Sequence, residues 1–106
     1  MPYRLKFSTR ADAEFKALAS GGAAPAGKLR KVQRALARLE QDPRYPGLNS
    51  HLYGNFPGLP NAKVWDSYVE SHTPRAWRIF WTYGPNEVMD EQEVPVITIV
   101  AITPHP

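Results

Sequence analysis

Arg78 stands in the middle of an otherwise apolar run, RAWRIFWTY at residues 75–83. A guanidinium keeps its proton and is costly to bury without a partner. A strand that spends a central position on it needs a reason. The chain also carries three histidines, His51, His72 and His105. Imidazole takes or gives a proton near neutrality, and the arginine fork fits phosphate oxygens. Tyrosines such as Tyr53 and Tyr68 offer faces on which bases stack. Together these side chains are equipment for binding phosphate and stacking bases. The plainer reading of Arg78 is an ion pair with Asp66 or Glu70 across a strand pair. The histidines show no HExxH-type spacing and there is no cysteine, so no metal-ligand pattern is present and no cofactor is implied.

The elements that must position these residues follow from periodicity. Residues 3–7 alternate, with Tyr3, Leu5 and Phe7 on one face of a short strand. Ser8 and Thr9 offer a helix cap; Ala11, Phe15 and Leu18 follow at helical spacing until Gly21 and Gly22 stop the helix. Leu29, Val32, Leu36 and Leu39 mark a second amphipathic helix, ended by Asp42 and Pro43. Residues 43–61 hold four prolines and three glycines and read as a long loop, which carries His51 and Tyr53. Three strands close the chain at residues 63–70, 75–83 and 94–102, the last apolar on both parities as a covered central strand is.

The expected order is therefore β-α-α-β-β-β, an α+β class in which a helical hairpin packs on one face of a small, mostly antiparallel sheet. Residues 1–106 read as a single domain. Trp77, Ile79 and Trp81 should face the helices, which leaves Arg78 on the opposite face. Asp66, Tyr68 and Glu70 of the neighbouring strand belong beside it, with His51 and Tyr53 brought in by the loop and His105 by the chain end. His72, next to a turn, reads as a solvated loop residue.

Charge points the same way. Residues 1–84 hold all 13 Lys/Arg and six of the ten acids, while residues 85–93 hold the other four acids and no base. A basic body suits a polyanion partner, although a solvated basic surface has the same composition. The chain has no apolar run near the ~20 residues that span a bilayer. Its N-terminus, MPYRLKFSTR, alternates and lacks a signal-peptide core. A cytoplasmic protein with no membrane partner is expected.

Four stretches resemble the RelE/ParE toxin superfamily of bacterial toxin–antitoxin systems: the opening YRLKFS, the helix end LARLEQDPRYPGL, the strand KVWDSYV, and WRIFW followed by a closing apolar strand that ends in a histidine. The resemblance spans nearly the whole chain through short, degenerate motifs. It implies a RelE/YoeB-like toxin of a type II system, an mRNA interferase that cleaves mRNA on the ribosome and so inhibits translation. A cognate antitoxin protein, mRNA and the ribosome would then be its partners, with no small-molecule cofactor. The alternatives within the superfamily are a ParE-like gyrase-inhibiting toxin and a non-catalytic member that binds RNA or protein.

The resemblance aligns the family's strand arginine with Arg78 and the C-terminal histidine of the YoeB-like branch with His105. That branch has a glutamate base where HLYG places Ser50 or His51, so either His51 replaces the carboxylate or the chain lacks that chemistry. The lysine-rich strand of RelE is reduced to Lys63. On this reading Arg78 clamps the phosphate, His105 is the general acid and His51 the base, with Arg75, Lys63, Tyr53 and Tyr68 positioning RNA.

Overall fold

The computed structural model describes residues 2–21, 27–70 and 75–104. β1 (Arg4–Phe7) leads into α1 (Thr9–Ala19), and α2 (Lys28–Gln41) completes the helical hairpin. A 3-10 turn (Pro46–Leu48) and β2 (His51–Tyr53) precede β3 (Val64–Tyr68) and β4 (Trp77–Tyr83). A small hairpin of β5 (Glu87–Met89) and β6 (Gln92–Val94) comes before the last strand, β7 (Val96–Pro104). The main sheet runs β1-β7-β4-β3-β2, with β1 parallel to β7 and the other pairs antiparallel. This is the expected α+β arrangement.

The helices form and dock for the reasons their sequences suggest. Ser8 Oγ accepts the Ala11 amide at 3.1 Å, capping α1, and donates to the Val100 carbonyl at 3.1 Å, which ties the helix start to β7. Ala11 and Leu18 from α1, with Val32, Ala35, Leu36 and Leu39 from α2, are buried against Ile79, Trp81, Ile97, Ile99 and Ile102 of the sheet. A bulge arranges the last three. Phe80 pairs with Ala101 and Trp81 with Ile99, so Val100 is skipped. The extra residue lets Ile99 and Ile102, three apart, share the helix face. In an unbroken strand they would oppose one another.

Several boundaries differ from the expectation. The stretch at residues 43–61 is not free of elements: Leu48 is buried within a 3-10 turn, and residues 51–53 pair with β3 as an edge strand. Tertiary pairing overrides a Pro/Gly-rich composition there. The acidic stretch forms the β5–β6 hairpin, its turn carrying positive φ at Asp90 (50°) and Glu91 (64°). No Gly or Asn announces that turn. β7 begins at Val96, after Pro95, and runs to Pro104.

Glu70 leaves the face it was expected to share with Arg78. Its carboxylate accepts the Trp77 amide at 3.2 Å and bonds Lys28 and, at 3.2 Å, Lys31 of α2. Burial pushes the Glu70 carboxyl up, but the bonds from Lys28, the Trp77 amide and Lys31 outweigh it, so its pKa lies below the ordinary value.

Candidate functional site

The sheet face away from the helices carries a second, smaller core: Phe56, Val64, Phe80 and Ala101 are buried, with Tyr53, Leu59 and Val100 packed on them. Strand register builds the polar cluster beside it. Tyr68 lies opposite Arg78, Asp66 opposite Phe80, and His51 opposite Asp66. With a side-chain period of two, all of them except the paired apolar residues project into one polar corner at the β2–β3–β4 end.

Asp66 is the centre of that corner. It is fully buried, and both its oxygens lie 3.4 Å from Arg78 Nη1. Its Oδ2 is 3.5 Å from His51 Nε2. The Arg78 guanidinium carbon stacks over the Tyr68 ring, 3.8 Å from its centroid, and the His51 ring meets Tyr68 edge-on at 6.0 Å. The Arg78 side chain keeps 13% of its surface. Its Nε is buried and donates to nothing among the described residues. Asp66 thus uses Nη1 alone, and the fork retains further donors. The ion pair weighed as the plainer reading of Arg78 exists, with Asp66 as partner and not Glu70.

His51 is half-exposed, and its Nδ1 lies 2.8 Å from the Asn49 carbonyl. A carbonyl only accepts, so Nδ1 carries hydrogen and Nε2 is the nitrogen that takes up a proton. A proton accepted there is held against Asp66. The arrangement can therefore accept a proton at Nε2 and present a fixed positive charge a short distance away. Asp66 was visible in the sequence as part of the polar parity of its strand; its role as the shared partner depends on register.

The other expected site residues are spread out. Tyr53 lies on the same face but stacks in the apolar part, 5.1 Å from Phe80 and 6.2 Å from Phe56. Lys63 is exposed just before β3, five residues from Tyr68 and so ~16 Å along the strand. It lines a cavity with Thr82 and Thr98, away from Arg78. Arg75 sits in an exposed turn with φ 55°, three residues before Arg78. His105 and His72 lie outside the described residues. β7 does bring Thr103 opposite Arg78 and Pro104 opposite Trp77.

Arg10 is a residue the sequence did not single out. From the first turn of α1 its guanidinium reaches over Phe56 at 5.8 Å and lines a pocket with Tyr53, Phe80, Thr103 and Pro104. No local pattern announces this, because helix and loop meet only in the folded chain. Among the described residues no group of three or more His, Asp or Glu could hold a metal ion. No helix among them is long and apolar enough to cross a membrane.

The sequence matches no protein-family model, and no curated protein matches it. The fold does have solved counterparts. The YoeB dimer from Staphylococcus aureus superposes with a TM-score of 0.61 at 13% identity, over 100% of both chains. A chain of the E. coli DinJ–YafQ toxin–antitoxin complex gives 0.57 at 14% identity, over 99% of this chain and 94% of that one. A mutant of E. coli toxin RelE in the free state gives 0.54 at 17% identity, over 98% and 84%. The chain has a RelE-like fold, and the resemblance drawn from its sequence holds at that level.

Proposed function

We propose that this chain is the toxin of a toxin–antitoxin pair, acting in the cytoplasm as a ribosome-associated mRNA endonuclease that works without a metal. The observation that carries the reading is the convergence of His51 and Arg78 on buried Asp66, with Tyr68 stacked on Arg78, on the face of a RelE-like sheet that points away from the helices. The DinJ–YafQ complex, a toxin bound to its antitoxin, supports an antitoxin partner for a chain of this fold.

The RNA 2′-hydroxyl attacks the adjacent phosphorus while His51 Nε2 takes its proton, and the imidazolium so formed faces Asp66. Arg78, held by Tyr68 and Asp66, places its remaining donors on the phosphorane oxygens, where charge develops. The bond from phosphorus to the 5′-oxygen breaks, and that oxygen leaves with a proton supplied by His105. A 2′,3′-cyclic phosphate and a 5′-hydroxyl result. Tyr68 positions RNA through the arginine stacked on it, and Tyr53, Arg75 and Lys63 add contacts further out.

A second reading rests on how completely Arg78 is engaged. With 13% of its side chain exposed and a carboxylate beside it, the corner also suits a non-catalytic member that binds RNA or protein. Induced expression followed by mapping of mRNA 5′ ends separates the two. Cuts at ribosomal A-site positions support the nuclease. Growth arrest without cuts points to another target, such as gyrase, and normal growth at high expression removes the toxin reading.

A further inference from the structure

A separate cavity of ≈ 570 Å³ lies on the helix side of the sheet, beyond the end of α2. That volume falls in the ~300–1,000 Å³ range of ligand sites. Its lining includes Tyr45, Trp65, Trp81, Tyr83, Arg44 and Asn49. Trp81 is fully buried, and Trp65 stacks on it at 5.8 Å with an interplanar angle of 18°. Tyr83 stands edge-on to both, 4.9 Å from Trp81 and 6.0 Å from Trp65, yet is 46% exposed.

Tyr45 lines the same cavity. Tyr45 is 39% exposed, with the Arg38 guanidinium 4.6 Å from its ring centroid. Its ring also packs over Gly47, where a Cβ would come within 2.8 Å of it. Tyr45 and Tyr83 are thus large aromatic rings held by their neighbours and left facing water, a preorganised stacking surface.

We propose that this cavity binds one unstacked nucleobase, carried by a free nucleotide or by a single RNA strand. Flat aromatic walls fit a base's π-face. Arg44 at the rim is placed for its phosphate, and the Asn49 amide offers the donor and acceptor that a base edge needs. The cavity is also joined to the opposite face. Asn49 lines it and accepts His51 Nδ1 through its carbonyl, and β2 is the last strand of the sheet. A strand rounding that edge would place a base in the cavity and its neighbouring phosphate near His51. Base binding itself does not depend on any cleavage by the outer face.

The test is tryptophan fluorescence of the full chain and of its Arg78→Ala variant, titrated with adenosine monophosphate and with a short unstructured oligoadenylate. Trp65 and Trp81 report from the cavity. A saturable change is expected in both proteins, with inorganic phosphate giving none. Tyr45→Ala or Tyr83→Ala should weaken binding about tenfold or more, the usual worth of one stacking ring. Tighter binding of the oligomer identifies an RNA strand as the occupant, and equal or tighter binding of the monophosphate a free nucleotide. The proposal is overturned if neither ligand gives a saturable change, if both tyrosine variants bind as the wild type does, or if binding is lost in Arg78→Ala alone. Should the tyrosine variants not fold, Arg44→Ala serves, and unchanged affinity for the monophosphate in that variant overturns the proposal.

Discussion

Tyr68 and Arg78 face one another across the β3–β4 pair, and the guanidinium carbon lies 3.8 Å from the tyrosine ring centroid. Asp66, two residues earlier on β3, holds the same guanidinium through Nη1 at 3.4 Å. The arginine is thereby fixed in place by neighbours from a single strand. Charge that is fixed beforehand needs no reorganisation when a phosphate arrives.

Asp66→Ala removes the counter-charge from a largely buried arginine. Breaking a buried pair from one side leaves an uncompensated charge, so a loss of about 3 kcal/mol or more is expected. Asp66→Asn, which keeps the shape and one acceptor, should lose less. Denaturant titration measures both, and an Asp66→Ala chain as stable as the wild type would show that the pair contributes nothing to the fold.

The proposed cleavage makes separate demands on three residues. His51→Ala should lower the rate by ~10²–10⁴, the range for one acid–base group, and His105→Ala by a similar factor with ribosome binding retained. Arg78→Ala should cripple cleavage equally at every pH tested, because an arginine does not titrate in that range. Primer extension on ribosome-bound mRNA reads all three. Wild-type rates in either histidine variant would remove that residue from the chemistry.

Leu36 and Arg38 test the helix register. Leu36 is buried in the main core, and its truncation to alanine should cost ~2–4 kcal/mol. Arg38 is exposed, but its guanidinium lies over the Tyr45 ring. Arg38→Ala should therefore cost no more than ~1 kcal/mol, the worth of an exposed cation–π contact. Comparable losses at the two sites in chemical unfolding would contradict this packing.

Glu70 predicts an acid limb in the stability curve. Its folded pKa is depressed by Lys28, the Trp77 amide and Lys31 against the opposing effect of burial. A carboxyl depressed on folding stabilises fully above its unfolded pKa, ~4.3, and that stability is lost as pH falls through the lower folded value. Wild type should exceed Glu70→Gln in unfolding midpoint at pH 7, and the gap should begin to narrow only below pH ~4.3, closing as pH passes the lower folded value. A constant gap from pH 7 to pH 3 would mean that the charge of Glu70 is irrelevant.

Much of this architecture was legible from local chemistry. The Ser8 cap, the Leu29-to-Leu39 stripe and strand parities such as that of WRIFW each depend on residues a few positions apart, so they named two helices, the four longest strands and the face of Arg78 without tertiary knowledge. Asp66 and Tyr68 were placed beside Arg78 by the same period of two. What only the folded chain decided were relations between distant segments. Pairing with β3 made residues 51–53 a strand despite their Pro- and Gly-rich surroundings, and so set His51 against Asp66. The Val100 bulge chose which apolar residues of β7 face the helices. Glu70 turned from Arg78 to Lys28 and Lys31 because α2 passes over the end of β3 and supplies two ammonium groups at close range. The aromatic cavity joins Tyr45, Trp65 and Tyr83 from three segments. Alternation and capping are short-range physics that a sequence exposes directly; register, bulges and cavities arise from which surfaces meet, and that is settled by packing.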